Sequence, residues 1–400
     1  MKDLQSLINK FGQPDALIDN HVTKKYGYAI WGFKDIFKYD SSGTYLNNKK
    51  IMGDSLENTQ KFIDTSISEN DLISCIGFIS YDIKNIFYPH LNFKPINSNF
   101  PYIWFAKPEL VIPYNINSKI YTEYEQNILV KIKDIDHINK YKLIIDKIKK
   151  ELKAGNTYQI NLTMEKLYKS KVPPFDIYSI IRQIAKPAFG YYINNGINKI
   201  LSFSPEEFFD TSKGIIHTYP MKGTKKRSLD QEEDKKLKQE LSNSKKDQAE
   251  HLMIVDLLRN DIGKICTYGS VKVKDLFKVN SYETIHQIVT HIYGKIKPDI
   301  NHMDIFRALC PGGSITGAPK ESSMKIIDYL ENYNREIYTG NIGYINGKGD
   351  MTFNMAIRTL SINNNICKYP VGGGIVWDST PEDEWEEAQL KSKILEEFIR

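Results

Sequence analysis

The apolar residues of the chain follow helical spacing in some segments and strand alternation in others. Between residues 138 and 153 the spacing is helical, and Gly155 follows as a stop signal. The apolar positions of this predicted helix are Leu143, Ile144, Ile148 and Leu152. Residues 157–167 alternate instead, which predicts a strand with one apolar and one polar face. The apolar face carries Tyr158, Ile160, Leu162 and Met164, and the polar face carries Gln159, Asn161, Thr163 and Glu165.

The remaining patterns mix short strands with helices along the whole chain. Short strand-like runs broken by Asn, Pro and Gly fill residues 1–130, together with one helix near residues 56–65. Further helices are predicted at 247–258, at 303–309 and after Pro381, where proline suits the first helical turn. A hairpin is predicted over residues 340–362, with its turn at 346–349. This mixture favours an α+β fold with antiparallel sheets.

Composition narrows the class of protein. The 400 residues are 41% hydrophobic and 26% charged, which is enough apolar material for a large core and excludes global disorder. Four well-separated cysteines, with no CxxC pair, argue against a disulfide scaffold or a cysteine-based zinc site and favour the cytoplasm. The net charge of +5 is too small to indicate nucleic-acid binding. We expect no secretory signal and no membrane span, because the longest apolar stretch, near residues 72–80, is too short.

Glu250 stands out in the helix predicted at residues 247–258, which is apolar nearly all round. It shares a face with Met253, Ile254 and Leu257, so its carboxylate is expected to be buried. A buried carboxylate costs several kcal/mol unless it is neutralised, paired or bound to metal. Spacing leaves two interpretations open: a salt bridge, for example to Arg259, or a functional acid.

The C-terminal helix offers a second acid, Glu387, with Lys391 one turn later. The stripe that carries both also contains Ile394, Leu395 and Phe398, which predicts an inward-facing acid and base. Two buried carboxylates on separate helices, without a Cys or His cluster, favour a hard cation. Mg²⁺ held by one or two carboxylates, substrate oxygens and water fits this pattern best.

Three further features carry potential chemistry, each beside a plain structural alternative. Arg358 is predicted on the small, polar face of a strand at 351–362, as a carboxylate clamp or as the partner of a neighbouring acid. The triplet Gly372–Gly374 permits close approach of a ligand, although turn geometry alone could explain it. Lys222, in Pro-Met-Lys-Gly-Thr, is either an exposed phosphate-binding charge or a lysine held for chemistry. The run 225–246 is dense in both signs of charge and is interpreted as a solvated helix flanked by loop. A nucleic-acid binder built on the basic loop 222–227 is disfavoured, because the acids at 230–234 neutralise that patch.

Seven segments together resemble the chorismate-utilising enzymes, a family that includes anthranilate, aminodeoxychorismate, isochorismate and salicylate synthases. The resemblance covers about residues 140–400, and a weaker match, GFISYD, lies at 77–82. The segments are AGNTYQINLT (154–163), SPEEFF (204–209), PMKGT (220–224), AEHLMIVDLLRNDIGKI (249–265), PGGSITGAPK (311–320), GNIGYINGKGDMTFNMAIRTL (340–360) and GGGIVWDSTPEDEWEEAQLK (372–391). The resemblance implies a four-layer α/β/β/α sandwich, to which residues 1–130 contribute strands, with a chorismate-binding catalytic region at 131–400.

Two positions indicate the branch of the family. Isochorismate and salicylate synthases carry a lysine that activates water where this chain has Gln159, so the resemblance favours an amine-using enzyme. Anthranilate synthases typically have alanine where Lys222 stands, whereas aminodeoxychorismate synthases often have lysine. The branch implied is therefore aminodeoxychorismate synthase component I, with anthranilate synthase component I as the alternative. A non-catalytic chorismate-binding subunit is less favoured, because Glu206, Glu250 and Glu387 are all present.

The resemblance also implies roles for individual residues. Lys222 matches the nucleophile that adds at C2 of chorismate, and Glu206 matches the acid that protonates the departing C4 hydroxyl. Glu250 and Glu387 match the ligands of Mg²⁺. The residues that match the substrate-binding groups are Arg358, Lys391, Gly373, Gly374, Thr316 and Gln159. A histidine common near position 287 is replaced by Gln287 beside His286, so no histidine role is transferred.

The resemblance finally implies partners. No glutaminase motif is visible in the sequence, so ammonia is expected to come from a separate glutamine amidotransferase subunit. A separate lyase would then form 4-aminobenzoate for folate synthesis. No nucleic-acid or membrane partner is expected.

Overall fold

The computed structural model describes residues 2–21, 25–123, 128–133, 138–282 and 285–396. The helices in this part of the chain are α1 Leu4–Phe11, α2 Ser55–Ser66, α3 Lys84–Phe87, α4 Ile138–Lys153, α5 Pro174–Ala185, α6 Gln231–Asn243, α7 Lys245–Ile265, α8 His302–Leu309, α9 Lys320–Leu330 and α10 Pro381–Glu396. The strands are β1 Ala16–Asp19, β2 Tyr26–Asp40, β3 Gly43–Leu46, β4 Lys49–Ile51, β5 Cys75–Ile79, β6 Ile103–Asn115, β7 Leu129–Lys133, β8 Gln159–Met164, β9 Leu167–Ser170, β10 Phe189–Asn194, β11 Lys199–Ser204, β12 Glu207–Ser212, β13 Ile215–Thr218, β14 Met221–Lys226, β15 Lys272–Ser281, β16 Ile285–Lys295, β17 Gly317–Ala318, β18 Asn341–Ile345, β19 Met351–Met355, β20 Thr359–Asn363, β21 Ile366–Lys368 and β22 Val371–Ile375.

The main core is layered, as an α/β/β/α sandwich requires. Side chains that alternate along β5 point to two different clusters: Ile76 and Phe78 into one, Cys75 and Ile79 into the other. The first cluster is formed almost entirely by strands and lies between the two β-layers. Helices α2, α7 and α8 cover one outer face, and α1, α5 and α10 cover the other. The α+β fold with largely antiparallel sheets is therefore confirmed.

The two halves of the sequence are joined through strand pairing. Strand β1 pairs antiparallel with β10, and β5 pairs antiparallel with β18. The long strands β2 and β6 pair along most of their length, with a bulge between Phe33 and Asp35. The division near residue 130 remains a prediction, although residues before it contribute strands to the common sheet. No helix in the described residues is long and apolar enough to cross a membrane.

A small second sheet, in the order β17–β8–β22, carries much of the predicted site. Its apolar face, with Ile160, Leu162 and Ile375, packs against α4 and α9. The opposite face of β8 carries Gln159, Asn161 and Thr163, all of which are buried. The predicted alternation of β8 is confirmed, but its polar face is not solvated.

The predicted helix 138–153 is confirmed, whereas one of its predicted buried positions is wrong. Leu143 is 64% exposed, and the buried residues of α4 are Tyr141, Ile145 and Ile148. Tyr158 is likewise 65% exposed, because β8 begins only at the next residue. Helix α7 is longer than predicted and is not buried all round, since Leu252 is 49% exposed. The solvated helix within 225–246 is confirmed as α6, in which Leu241 is the buried residue.

The predicted continuous strand at 351–362 is wrong. Strand β19 ends at Met355 and β20 begins at Thr359, with Arg358 between them in the left-handed region at φ 50°. Strand β19 pairs with β12 and β18, whereas β20 pairs with β11 and β21. The chain changes partners here, and this change requires a corner that alternation alone does not predict.

Candidate active site

Lys222 reaches the centre of the site through a bulge in β14. The register between β14 and β16 shifts between Lys222 and Thr224, and Gly223 adopts φ 68°. A Cβ atom at Gly223 would approach Asp247 of α7 to 3.0 Å, so glycine lets the strand pass close to the start of that helix. The bulge therefore places Lys222 close to the first turns of α7, which carry Glu250.

The glycines of β22 form the opposite wall. A Cβ atom added to Gly374 would lie 2.8 Å from Nε2 of Gln159 and 3.4 Å from Nζ of Lys222. The structure therefore brings Lys222, Gln159 and Gly374 together, although they lie far apart in sequence. A side chain at Gly374 would occupy the space between the lysine amine and the glutamine amide.

The side-chain amide of Gln159 is unsatisfied within the described residues. Its side chain is fully buried, yet neither Oε1 nor Nε2 has a hydrogen-bond partner among the described residues. Buried polar groups without partners are uncommon and costly. A polar ligand that enters beside Gly374 would satisfy this amide.

Lys222 lies among several charged groups. Burial lowers the pKa of Lys222, and nearby Lys391 lowers it further. The negative charges of Glu250, Glu206 and Glu387 act in the opposite direction. The net lowering raises the fraction of neutral amine, which is the nucleophilic form of lysine.

Glu206 lies between β11 and β12 and interacts electrostatically with Lys222. Its carbonyl accepts from the Met355 amide, and its Oε1 lies 3.5 Å from the Ser314 hydroxyl. Burial raises the pKa of Glu206 to about 7, although nearby Lys222 acts to lower it. At neutral pH a large fraction of carboxyl groups with this pKa is protonated, so such a group can serve as a general acid. Ser314 was not predicted as a site residue.

Glu387 and Lys391 interact on α10, as their spacing predicts, but not as a buried pair. The Lys391 ammonium lies 2.6 Å from Glu387 Oε1 and donates to the Gly372 carbonyl at 2.9 Å. Their side chains are 52% and 39% exposed, so the prediction of an inward-facing buried carboxylate is wrong. The reason is that Leu395 and Ala388 supply the buried face of the helix, whereas Glu387 lies at the open edge of β22. Burial acts to raise the pKa of Glu387, but Lys391 holds it below its ordinary value.

Glu250 is half-buried, and the salt bridge to Arg259 is not formed. Arg259 instead pairs with Asp256 at 2.7 Å, and Glu250 forms no ion pair within the described part of the chain. Burial raises the pKa of Glu250, while Lys222 and Lys246 lower it. A half-buried carboxylate without an ion pair among the described residues is available to a cation.

Glu384 is an acid that the sequence prediction missed. A Cβ atom at Gly373 would lie 3.3 Å from Glu384 Oε2 and 3.5 Å from both Glu387 Oε1 and Lys391 Nζ. Burial raises the pKa of Glu384, and Glu387 and Glu250 contribute to this rise. Its position one helical turn before Glu387 was the available signal. The Ser379 hydroxyl donates to Glu384 at 2.6 Å.

The carboxylates of Glu250 and Glu387 are chemically suited to bind Mg²⁺. Glu250 and Glu387 interact electrostatically and approach from two elements, and their oxygens are the donors that a hard cation prefers. The described residues hold no group of three His, Cys, Asp or Glu side chains arranged to bind a metal by themselves. A cation here would therefore complete its coordination with substrate and water, which is usual for Mg²⁺.

Thr316 lies at the end of the turn that carries Ser314, and Arg358 lies at a corner between two strands. The buried Thr316 hydroxyl donates to the Gly312 carbonyl at 2.8 Å, so it holds the turn that carries Ser314. Arg358 lies at the corner between β19 and β20, where its carbonyl accepts from the Phe203 amide at 3.0 Å. Its guanidinium group is exposed and forms no ion pair or hydrogen bond with the described residues. The predicted place on a polar strand face is wrong, and so is the alternative pairing with an acid in this part of the chain.

The glycines of β22 allow a direct test of this geometry. We expect Gly374→Ala to lower kcat/KM for the substrate at least about tenfold, because its methyl group enters the space between Gln159 and Lys222. Gly263→Ala, in helix α7, is the control, since a Cβ atom there would meet nothing within 4 Å. Steady-state kinetics and thermal unfolding check the pair. Equal kinetics for the two variants would contradict the arrangement.

Comparison with known proteins gives a consistent result. Residues 117–397 match the family described as chorismate binding enzyme. Anthranilate synthase component 1 of Saccharolobus solfataricus is 36% identical over 81% of this chain and 80% of its own length. Aminodeoxychorismate synthase component 1 of Bacillus subtilis is 35% identical over 64% of this chain and 54% of its own length. The chloroplastic aminodeoxychorismate synthase of Arabidopsis thaliana is 42% identical over 61% of this chain and 27% of its own length.

The fold has a solved counterpart. The crystal structure of anthranilate synthase component I from Streptococcus pneumoniae superposes with a TM-score of 0.82, at 24% identity, over 93% of this chain and 92% of that one. The relatives therefore include both anthranilate and aminodeoxychorismate synthases. With the family match covering well over half of its residues, this chain belongs to the chorismate-binding enzymes.

Proposed function

We propose that this chain is aminodeoxychorismate synthase component I, which converts chorismate and ammonia to 4-amino-4-deoxychorismate. The observation that carries the proposal is the position of Lys222: its amine lies against Gly374 and the unpartnered amide of Gln159, with Glu206, Glu250 and Glu387 around it. A lysine so placed suits nucleophilic attack better than the binding of an exposed phosphate.

The first half of the proposed reaction forms a covalent intermediate. The neutral amine of Lys222 adds to C2 of the chorismate ring, the ring double bonds shift, and the C4 hydroxyl leaves. Glu206 supplies the proton with which that hydroxyl departs as water. The raised pKa of Glu206 and the lowered pKa of Lys222 shift both groups toward the protonation states that this step needs.

The second half exchanges lysine for ammonia. Ammonia attacks C4, the double bonds shift back, and the bond between C2 and Lys222 breaks, which restores the free amine. Gln159 at this position offers an amide rather than a base, so it does not activate water as a competing nucleophile. We further propose that a separate glutamine amidotransferase subunit delivers the ammonia, and that the product leads to 4-aminobenzoate and folate.

The charges of the site suit a dianionic substrate. Lys391, beside the backbone of Gly373, is positioned to meet one carboxylate. We propose that the exposed guanidinium of Arg358 binds the other. Glu250 and Glu387 would hold Mg²⁺, which when bound supplies positive charge for the ring carboxylate.

The metal proposal predicts a specific defect. We expect EDTA to abolish chorismate turnover and MgCl₂ to restore it. Glu250→Gln should raise the Mg²⁺ concentration needed for half-maximal activity at least about tenfold, since one charged ligand is lost. Glu232→Gln on the exposed helix α6 is the control. Full activity in EDTA, or an unchanged Mg²⁺ requirement in Glu250→Gln, would refute the assignment.

A second candidate function is anthranilate synthase component I. The relative from Saccharolobus solfataricus favours it, because that match extends over 81% of this chain. The two candidates differ in product. Purified protein with chorismate, MgCl₂ and ammonium at mildly alkaline pH should yield 4-amino-4-deoxychorismate, separated by chromatography. Anthranilate as the main product would overturn the proposal and support the second candidate, whereas no conversion of chorismate, even with an added amidotransferase, would contradict both.

A further inference from the structure

A second cavity, of about 430 Å³, lies away from Lys222, between the segment 81–97 and the end of α9 with the loop that follows. Its wall contains three acids and three bases. These are Asp82, Asp328, Glu331, Lys84, Lys94 and Arg335. Formal charges therefore balance in number, and the ligand it would take depends on which of them remain unpaired.

Most of these charges are already compensated. Lys84 lies 2.8 Å from Asp328, and Arg335 lies 2.7 Å from Glu331. The Lys94 ammonium donates to the carbonyls of Tyr329 and Glu331. The basic groups and two of the acids thus have partners of their own.

Asp82 and Tyr81 are the exceptions. Asp82 is 5% exposed and forms no ion pair with any described residue, although it accepts one hydrogen bond, from the Glu336 amide at 3.0 Å. Burial raises the pKa of Asp82 to about 7, and Glu336 acts in the same direction, whereas Lys84 and Arg335 oppose the rise. The Arg335 guanidinium also lies over the Tyr81 ring, 4.4 Å from its centroid. Tyr81 is 2% exposed, and its hydroxyl has no hydrogen-bond partner in the described structure. Two neighbouring side chains therefore line the cavity with unused oxygen atoms.

The chemistry of these oxygens selects the ligand. A carboxylate and a phenol oxygen both accept hydrogen bonds, and a positive charge would compensate the buried carboxylate. An anion is disfavoured by Asp82. A divalent metal ion is disfavoured because these two residues offer only one carboxylate and one neutral hydroxyl, fewer charged oxygens than such an ion prefers. An ammonium group, with several donors and one charge, satisfies both residues.

We propose that this cavity binds a primary ammonium group through Asp82 and Tyr81. Two sources share this chemistry: the free ammonium ion and a small organic amine. Identification of the ligand as free ammonium would rest on the proposed function, in which ammonia is the nitrogen donor. The proposal that the cavity binds an ammonium group does not depend on that function.

The cavity wall also contacts the strand that carries Gln159. Arg335 donates to the carbonyls of Asn161 in β8 and Ile315 beside Thr316, at 2.7 and 2.9 Å. Glu331 accepts from the amide and hydroxyl of Thr163, also in β8. The cavity wall thus contacts β8, the strand whose first residue is Gln159.

Thermal unfolding of the full chain tests binding without reference to activity. We expect ammonium chloride to raise Tm more than potassium chloride at the same ionic strength. Asp82→Asn should abolish this difference and Tyr81→Phe should reduce it, whereas Asp299→Asn, at an exposed carboxylate, should retain it. Methylammonium and ethylammonium chloride form the organic arm. Equal Tm values in potassium, ammonium and alkylammonium salts would overturn the proposal, and so would a difference that survives in both Asp82→Asn and Tyr81→Phe.

Kinetics identify the source of the ligand. If ammonium is bound for the reaction, Asp82→Asn should raise the apparent KM for ammonium at least about tenfold and leave the KM for chorismate unchanged. A Tm effect that is largest with ethylammonium, together with an unchanged KM for ammonium, would support the organic amine. If the protein aminates no chorismate, the proposed function fails while the Tm comparison still decides whether the cavity binds an ammonium group.

Discussion

Lys222→Met is expected to lower kcat about 10³-fold or more, because in the proposed reaction the Lys222 amine itself forms the bond to C2 of chorismate. Methionine keeps the length and apolar stem of the side chain, so the bulge at Gly223 and the packing of β14 should be retained. The KM for chorismate should change much less than kcat, since Lys391 and Gln159 remain. Steady-state assays of product formation at saturating ammonium measure both constants.

The matched control is Lys226→Met, at an exposed lysine of the same strand. It removes the same charge from the same element and should leave kcat within about twofold. A comparable loss of activity in both variants would attribute the effect to net charge or to folding rather than to the nucleophile. Thermal unfolding of the two proteins separates the last possibility.

Glu206→Gln is expected to lower kcat by about 10²- to 10⁴-fold, the usual contribution of a positioned general acid. Glutamine preserves the shape and the contact with Ser314 but has no transferable proton. Glu207→Gln, at the next residue, is the control and should have little effect on kcat. Equal rates for Glu206→Gln and the wild type would refute the role of Glu206.

The dependence of kcat/KM on pH provides a second test of Glu206 as the general acid. Burial raises the pKa of Glu206 to about 7, so its acid form predominates below that pH and declines above it. Lys222 acts oppositely, because its neutral form increases as pH rises. The wild type should therefore show a bell-shaped dependence of kcat/KM on pH. The alkaline limb should disappear in Glu206→Gln, and its persistence there would show that another group is the acid.

Local pattern predicted those elements whose partners lie nearby in sequence. The helix at Ile138–Lys153 and the hairpin of β18 and β19 are confirmed, since each depends on its own periodicity and turn. The corner at Arg358 was missed, because it depends on which distant strands pair on either side. The exposure of Leu143 was missed for a related reason: the buried face of a helix is set by its partners in the fold.

The candidate site was likewise predicted only in part, because some of its features depend on residues that are distant in sequence. The resemblance pointed to Lys222 and Gln159, and the structure brings both against Gly374. It could not show that the Gln159 amide lacks partners, because that requires the positions of all neighbours. Glu387 was expected to be buried, yet α10 lies so that its carboxylate faces the open edge of β22. Glu384 was overlooked because its role depends on the closeness of Gly373, which only the docked helix reveals.

The most direct test of the central claim is intact-protein mass spectrometry after incubation with chorismate and MgCl₂ in the absence of ammonium. We expect an adduct with the mass of chorismate less one water. Peptide mapping should place it on Lys222, and the adduct should disappear when ammonium is added. It should be absent from Lys222→Met and present in Lys226→Met. A protein that converts chorismate with ammonium but never carries this adduct, or whose Lys222→Met variant still converts it at the normal rate, would contradict the account.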